Sequence, residues 1–296
     1  MNAFHSFWTK PNRLRNGGDV ALPDYELLTL MLSALKWREK NGPIRMITDS
    51  AGAAFFERAG LSALWSEPPD TALDRMDPAL DPRLFWAAGK LEALRGTDAP
   101  CVMLDTDLIV WEDVSPLLRA SPVAAHWEAL SPDVYPDPAE AFALAPGYAF
   151  PREWDFSLPA ANTAFLYLPS PRLKAYYTDA AFRFMRALRG ADGDPVATMC
   201  FAEQRLLPLC AKACGAEVQT LLSLREGDRQ SLVTHLWGQK RALAASNEKR
   251  VEYCLSCALR IVTDFPAWEG ALERCAQTAV YLEGLRAHSA EGGLEP

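Results

Sequence analysis

The chain has 296 residues, of which 49% are hydrophobic and 23% charged, and its formal net charge is −8. This length can form one extended α/β domain or two smaller ones, and the composition is that of a globular protein. The acidic balance excludes a broad basic surface for nucleic acid, but it is compatible with a local pocket for one diphosphate.

Targeting and cysteine patterns point to the cytoplasm. Residues 1–20 lack the apolar core of a signal peptide, and no run approaches the roughly 18 apolar residues of a membrane span. The seven cysteines are odd in number and scattered, which suits reduced thiols. Cys254 and Cys257 form a CxxC pair within a helical pattern that has no second ligand pair. We therefore expect buried thiols there rather than a zinc or redox site.

Strand and helix patterns alternate in the first part of the chain. In order, they predict a strand over 3–8, a polar loop over 10–19, a helix from 23 to 41, a strand over 44–48, a helix over 51–59, a helix over 83–94 and a strand over 101–104. Such alternation predicts an α/β fold with a mainly parallel sheet and helices on its faces.

The second part begins with a long segment that has no periodicity. Residues 131–159 are rich in proline and aromatic residues, and a loop of this length is usually functional or mobile. The patterns then predict a strand over 162–168, helices over 171–189 and 201–214, a strand over 217–224, and helices over 248–263 and 267–287. We therefore expect a main domain over residues 1–245 and a helical extension over 246–296 that packs on it.

The most informative motif is the pair Asp105 and Asp107, which stands between two apolar runs. On a strand, acids at positions i and i+2 point to the same side and can share one cation. Mg²⁺ and Mn²⁺ prefer such carboxylate oxygens, and ligands of α/β sheets collect at the carboxyl ends of strands. Asp-x-Asp triplets also occur by chance in turns. The flanking apolar runs make a metal site as good an interpretation as a chance turn, since buried acids need a partner.

A second candidate segment spans residues 234–240. Its His235 can supply a nitrogen ligand, Gly238 allows close approach of the backbone, and Lys240 can contact a phosphate. A lone histidine at a strand end more often has a structural role, and such a lysine is often solvated. This segment therefore indicates a binding site only in combination with Asp105 and Asp107.

Together and in this order, the two motifs resemble those of the retaining glycosyltransferases of family 8, the glycogenin and lipopolysaccharide galactosyltransferase group. Those enzymes carry Asp-x-Asp after a hydrophobic strand and a late His-x-x-Gly-x-x-Lys; here the lysine comes one residue earlier, and the usual Pro-Trp is missing. Lys90, Asn162 and the pair Glu203–Gln204 also match family positions, with Ala164 in place of a usual glycine. The resemblance covers about residues 1–241.

The resemblance implies a GT-A fold, in which a Rossmann-like nucleotide-binding half merges with an acceptor-binding half. It also implies Mn²⁺ or Mg²⁺ held by Asp105, Asp107 and His235 between the phosphates of a UDP-sugar. A cation in that position stabilises the charge that develops on the leaving diphosphate. Retention of configuration is implied by the family alone. The acceptor is a glycan, lipid or protein that the sequence does not identify, and a homodimer is an open alternative.

The remaining site assignments follow from the resemblance and from proximity to its motifs. The expected catalytic residues are Gln204 near the anomeric face, Glu203 ordering donor hydroxyls, and Asn162. The expected donor-binding residues are Ser6, Phe7, Trp8, Thr9, Lys90, Asp105, Trp237, Gly238 and Lys240.

Several other residues have a structural role as their simplest interpretation. We expect structural roles for His5 and His126 at strand ends, and a helix-capping role for Asp49. The aromatic residues Trp127, Tyr135, Tyr148 and Trp154 form either a sugar-stacking platform or ordinary packing of the long loop.

Three other functions share parts of the pattern. A haloacid-dehalogenase-type phosphatase carries its Asp-x-Asp at the start of the domain and follows it with Gly-Thr, whereas Leu108 and Ile109 follow here. A nucleotidyltransferase has a basic, glycine-rich N-terminal loop, to which residues 16–18 are a poor match. A degenerate GT-A protein that only binds is the alternative outside enzymes. The retained acids and His235 argue against it, whereas Ala164 and the altered late motif argue mildly for it.

Overall fold

The computed structural model describes residues 2–191, 194–224 and 232–290. In chain order the strands are β1 (Asn2–Phe7), β2 (Ile44–Thr48), β3 (Cys101–Leu104), β4 (Leu108–Val110), β5 (Val123–Glu128), β6 (Phe142–Leu144), β7 (Ala160–Leu168), β8 (Leu188–Ala191), β9 (Gln219–Thr220) and β10 (Val233–His235). The helices are α1 (Thr9–Arg15), α2 (Asp24–Lys40), α3 (Ser50–Arg58), α4 (Ala88–Gly96), α5 (Pro138–Ala141), α6 (Pro171–Ala187), α7 (Pro195–Cys200), α8 (Leu206–Ala213), α9 (Leu221–Leu224), α10 (Lys240–Ala245), α11 (Asn247–Asp264), α12 (Glu269–Arg274) and α13 (Ala276–Ala290).

A six-stranded sheet in the order β2-β1-β3-β7-β5-β9 forms the centre of the fold. Strand β7 runs antiparallel to both of its neighbours, whereas the other described pairs in this sheet are parallel. One apolar cluster joins α2, α11 and the C-terminal helices to one face of the sheet, and a second joins α4, α6 and α8 to the other. The predicted α/β class, with a mainly parallel sheet flanked by helices, is therefore confirmed.

Several predicted boundaries were wrong, each for a local reason. The helix expected over 83–94 begins at Ala88, because the side chain of Asp81 accepts from the Arg83 backbone and holds a turn before it. The strand expected over 217–224 has only two residues, since the parallel ladder to β5 ends there and α9 begins. The polar loop over 10–19 contains α1, and the long loop over 131–159 contains α5 and β6. Strand β6 pairs with β8, which ends α6 at Ala187.

The C-terminal helices contact α2 through specific polar pairs. Lys36 on α2 lies 2.6 Å from Asp264 at the end of α11, and the Thr29 and Tyr253 hydroxyls are 2.7 Å apart. Tyr281 on α13 donates a hydrogen bond to Asp24. Cys254 and Cys257 are buried free thiols on α11. These contacts agree with an extension packed on the main domain, and the division at residue 245 stays a prediction. The described helices include none with the length and apolar character to cross a bilayer.

A buried histidine ties three elements together beneath the motif strand. His5 on β1 accepts from Trp65 Nε1 at Nδ1 over 3.2 Å, so its Nε2 carries the proton and donates to Ser33 Oγ at 2.9 Å. Ser33 on α2 then donates to the Leu108 carbonyl at 2.5 Å. Both ring nitrogens are used within the core, which gives His5 the structural role expected for it. The network fixes α2 against β4, directly after Asp107.

We expect this histidine to make the fold acid-sensitive. Burial lowers the pKa of His5 from 6.5 to about 3, so the unfolded chain takes up the proton first as pH falls. The stability that neutral His5 contributes is therefore fully present above pH 6.5 and is lost as the pH falls towards 3. From pH 7 to pH 5 this group alone should cost about 2 kcal/mol of unfolding free energy. Urea titrations at both pH values should show a smaller loss in His5→Gln; an identical loss in both proteins would contradict this assignment.

Candidate functional site

The two motif aspartates lie in a tight turn between β3 and β4. Strand β3 ends at Leu104, the Asp105 backbone donates to the Ala164 carbonyl on β7 at 2.7 Å, and the Leu108 backbone donates back to the Asp105 carbonyl at 3.2 Å. The expected strand alternation of the two acids was therefore wrong. Their carboxylates are brought together by a turn at the carboxyl end of β3, which is the edge of the sheet that the motif predicted.

His235 reaches the same place through a short antiparallel ladder. Strand β10 pairs with β4 so that His235 stands opposite Leu108, and the Leu236 backbone donates to the Asp107 carbonyl at 3.0 Å. His235 Nε2 lies 3.7 Å from Asp107 Oδ1, too long for a hydrogen bond. One ligand atom from each of Asp105, Asp107 and His235 lies within 4.8 Å of the others. This spacing suits three ligands around one ion.

Each aspartate is held by a lysine through one of its oxygens. Lys90 Nζ on α4 lies 2.6 Å from Asp105 Oδ1, and it also bonds to Glu203. Lys240 Nζ, at the start of α10, lies 2.8 Å from Asp107 Oδ2 and 3.2 Å from Glu26 Oε1. The second oxygen of each aspartate is therefore the one suited to a cation.

The pKa values of the two aspartates move in opposite directions. Burial raises the pKa of Asp105, and the charges of Asp107 and Glu203 raise it further while Lys90 opposes them. Burial also tends to raise the pKa of Asp107, but the nearby His235 ring and the charge of Lys240 outweigh it, and this pKa lies below its usual range. Burial tends to lower the pKa of both lysines, but their paired carboxylates raise it above the ordinary value. Both lysines are therefore charged at neutral pH.

The contacts in this cluster leave an excess of negative charge. Its members are the carboxylates of Glu26, Asp105, Asp107 and Glu203, and the ammonium groups of Lys90 and Lys240. These four carboxylates and two ammonium groups give a formal charge of −2. Uncompensated charge in a largely buried site is costly, and one divalent cation neutralises it. Two carboxylate oxygens and an imidazole nitrogen are ligands that Mn²⁺ and Mg²⁺ accept.

Glu203 and Gln204 lie on a π-helical turn, Phe201–Arg205, between α7 and α8. Such turns interrupt a helix and are frequent at functional sites. Glu203 Oε1 accepts from Lys90 and from the Thr163 hydroxyl, and Tyr177 donates to its backbone carbonyl at 2.5 Å. Gln204 Oε1 accepts from the Tyr135 hydroxyl, and within the described part of the chain the amide N–H groups of Gln204 have no acceptor and can serve as donors.

Asn162 on β7 is held by two hydrogen bonds. Its Nδ2 donates to Glu128 Oε1 at 2.9 Å, and its Oδ1 accepts from the Ala164 backbone at 3.0 Å. Asn162 thus connects β7 to β5 beside the cluster. These two hydrogen bonds hold the Asn162 side chain in place as part of the wall of the site.

A cleft of about 370 Å³ brings most of the predicted residues together. The predicted residues that line it are Ser6, Phe7, Trp8, Lys90, Asp105, Asp107, Asn162, Glu203, Gln204, His235, Trp237 and Lys240. Thr9 and Gly238 do not line it. The backbone and hydroxyl of Thr9 donate to Asp49, which also caps α3 as expected by accepting from Gly52 at 2.9 Å. Gly238 has a φ of +76° and serves the turn before α10.

The four loop aromatic residues do not form a platform along this cleft. Tyr148 and Trp154 pack with Phe150, and Trp154 is 7% exposed, whereas Trp127 lies on β5 and is 39% exposed. Tyr135 reaches the site through its hydrogen bond to Gln204. His126 lies within β5 rather than at its end, and it does not line the cleft. Ordinary packing was the better interpretation for Tyr148 and Trp154.

Sequence reasoning missed several residues that line the cleft. They are Pro11, Asn12, Arg15, Leu22, Glu26, Trp86, Val196, Met199 and Cys200, among others. The spacing of Trp8, Pro11, Asn12 and Arg15 is that of one helix face, and it becomes readable once α1 is recognised as a helix. Nothing in the sequence marks Glu26, because its role depends on the partner Lys240 more than two hundred residues later.

The sheet and the Asp–Asp–His cluster thus define an α/β protein with a candidate site for a divalent cation. A family model described as a family of unknown function (DUF6734) matches residues 1–266, and the chain belongs to this family. No curated protein matches the chain. Among solved structures, the apo form of mouse xyloside xylosyltransferase 1 is similar at 14% sequence identity and a TM-score of 0.35, with 70% of this chain and 82% of that chain covered.

Proposed function

We propose that this protein is a metal-dependent glycosyltransferase of the GT-A type, related to family 8, which transfers a sugar from a UDP-sugar to an acceptor. The observation that carries the proposal is the group of Asp105, Asp107 and His235 at the carboxyl end of β3, which lines a cleft and whose ion-paired neighbourhood of four carboxylates and two lysines has an excess charge of −2. A site that binds a dication through three side chains and leaves an open cleft beside it suits a diphosphate substrate.

The proposed cofactor is Mn²⁺ or Mg²⁺, held by Asp105, Asp107 and His235. When bound, it supplies positive charge to the diphosphate as the bond between the phosphate oxygen and the anomeric carbon breaks. Lys90 and Lys240 orient the two aspartates by holding one oxygen of each. Both lysines stay protonated, so they also contribute fixed positive charge next to the phosphates.

The proposed roles of the other residues follow from their positions in the cleft. Ser6, Phe7 and Trp8 line it at the end of β1, where they would contact the nucleoside. Glu203, fixed by Lys90 and Thr163, orders donor hydroxyls, and Gln204 presents its amide N–H groups near the anomeric carbon. We also propose that the transferred group is a hexosyl group and that its anomeric configuration is retained. The acceptor is a glycan, lipid or protein.

Calorimetric titration of UDP tests this proposal. UDP should bind when the protein is saturated with Mn²⁺, and binding should disappear in EDTA, because the phosphates contact the protein largely through the cation. Metal-dependent binding would then justify testing UDP-sugars for turnover. Equal UDP binding in Mn²⁺ and EDTA, or none in either, would contradict the proposed function.

A further inference from the structure

Three cationic side chains line the cleft among its described residues: Lys90, Lys240 and Arg15. The two lysines are each shared between two carboxylates, as described above. The described part of the chain gives Arg15 no carboxylate partner, and its side chain is exposed. Arg15 is therefore the cation of this cleft whose charge is not already used.

Arg15 also occupies a defined position on α1. Trp8, Pro11, Asn12 and Arg15 line the cleft with the spacing of one helix face. Asn12 is occupied, since its Nδ2 donates to the Ala21 carbonyl at 2.7 Å and its Oδ1 accepts from the Ala21 backbone at 3.0 Å. Trp8 and Pro11 have no charge to offer. Arg15 is thus the side chain of this face that can bind an anion.

The charge of the site requires such a residue. A bound dication brings the four carboxylates of Glu26, Asp105, Asp107 and Glu203 and their two lysines from −2 to neutrality, so it leaves no net positive charge for the substrate. A diphosphate brings further negative charge into the cleft, and a guanidinium is the side chain best matched to phosphate oxygens. We propose that Arg15 binds the diphosphate of the nucleotide donor directly. This inference rests on the proposed function.

The helix offers a matched control in Arg13. Its Nε donates to the Gly18 carbonyl at 2.9 Å, and it lines a separate cavity beside Lys10 and Asp74 rather than the cleft. Arg13 and Arg15 both lie in the last turn of α1 and carry the same charge. Replacing either by glutamine therefore changes net charge and helix composition equally, while only one replacement removes a cation from the cleft.

The experiment is calorimetric titration of UDP into Mn²⁺-saturated wild-type protein, Arg15→Gln, Arg15→Lys and Arg13→Gln. We expect Arg15→Gln to weaken UDP binding by about tenfold or more, as for loss of a charge-assisted hydrogen bond. Arg15→Lys should retain part of the affinity, and Arg13→Gln should equal wild type. Titration of MnCl₂ without nucleotide should give the same affinity in all four proteins.

Each titration result leads to a specific conclusion. Wild-type UDP affinity in Arg15→Gln, or an equal loss in Arg13→Gln, would overturn the role of Arg15 while leaving the proposed function in place. Uridine, which has no phosphate, is titrated into the same proteins. If Arg15→Gln weakens uridine binding as much as UDP binding, Arg15 contacts the nucleoside, and its proposed role at the diphosphate is overturned. Absence of Mn²⁺-dependent UDP binding in the wild-type protein would overturn the proposed function, and this inference with it.

Discussion

Asp107→Asn should abolish Mn²⁺-dependent binding of UDP and leave the fold intact. The substitution keeps the shape of the side chain but removes the negative charge that faces His235 and Lys240. Loss of a residue that merely supports a metal ligand costs about 10–100-fold in affinity, so loss of the ligand should cost more than about 100-fold. Titration of MnCl₂ and then of UDP, together with a circular dichroism spectrum of each protein, measures both parts of the prediction.

A suitable control for this variant is Asp113→Asn. Asp113 follows β4 in the chain, accepts from the Ser115 backbone at 2.8 Å, and lies outside the cleft. It should bind Mn²⁺ and UDP as the wild-type protein does. Retained Mn²⁺-dependent UDP affinity in Asp107→Asn would remove this residue from the ligand set.

Lys90→Met should produce the largest loss of stability among single changes in the site. The Lys90 side chain is 15% exposed and lies between Asp105 and Glu203, so its removal leaves two carboxylates without their shared cation. Breaking a buried ion pair on one side typically costs about 3–5 kcal/mol. Urea unfolding in EDTA should show a loss of this size, and part of it should return in Lys90→Met with Glu203→Gln, because the second change removes one of the unpaired charges.

The matched control here is Lys212→Met. Lys212 pairs with Asp155 at 2.9 Å, but its side chain is 56% exposed, and surface pairs of this kind add little to stability. If Lys90→Met destabilises the protein no more than Lys212→Met does, Lys90, Asp105 and Glu203 do not form a buried charge network.

The fold was predictable because its signals are local. Apolar runs such as Cys101–Leu104 and the spacing of helices between them predict a mainly parallel sheet, and β1, β2 and β3 pair accordingly. The predicted ends of strands and helices were wrong where tertiary contacts decide where the element stops. The strand expected over 217–224 stops at Thr220, where its ladder to β5 ends and α9 begins, and no residue of the segment itself records this.

The site was predictable where residues are close in sequence or arranged in motifs. Asp105 and Asp107 were found as a pair, and His235 was found through the second motif, although the turn that joins the acids was not foreseen. Glu26 and Arg15 were missed because each depends on distant geometry: Glu26 on Lys240, and Arg15 on which face of α1 meets the cleft. Thr9 was misplaced because its hydroxyl turns to Asp49 rather than to the cleft.

The most direct test of the central claim is an anomalous diffraction measurement at the manganese edge on crystals grown with Mn²⁺ and UDP. We expect one strong anomalous peak bounded by Asp105, Asp107 and His235, with the UDP phosphates coordinated to it in the cleft. A peak elsewhere, or UDP bound in the cleft with no manganese between its phosphates and these three side chains, would contradict the proposed metal site.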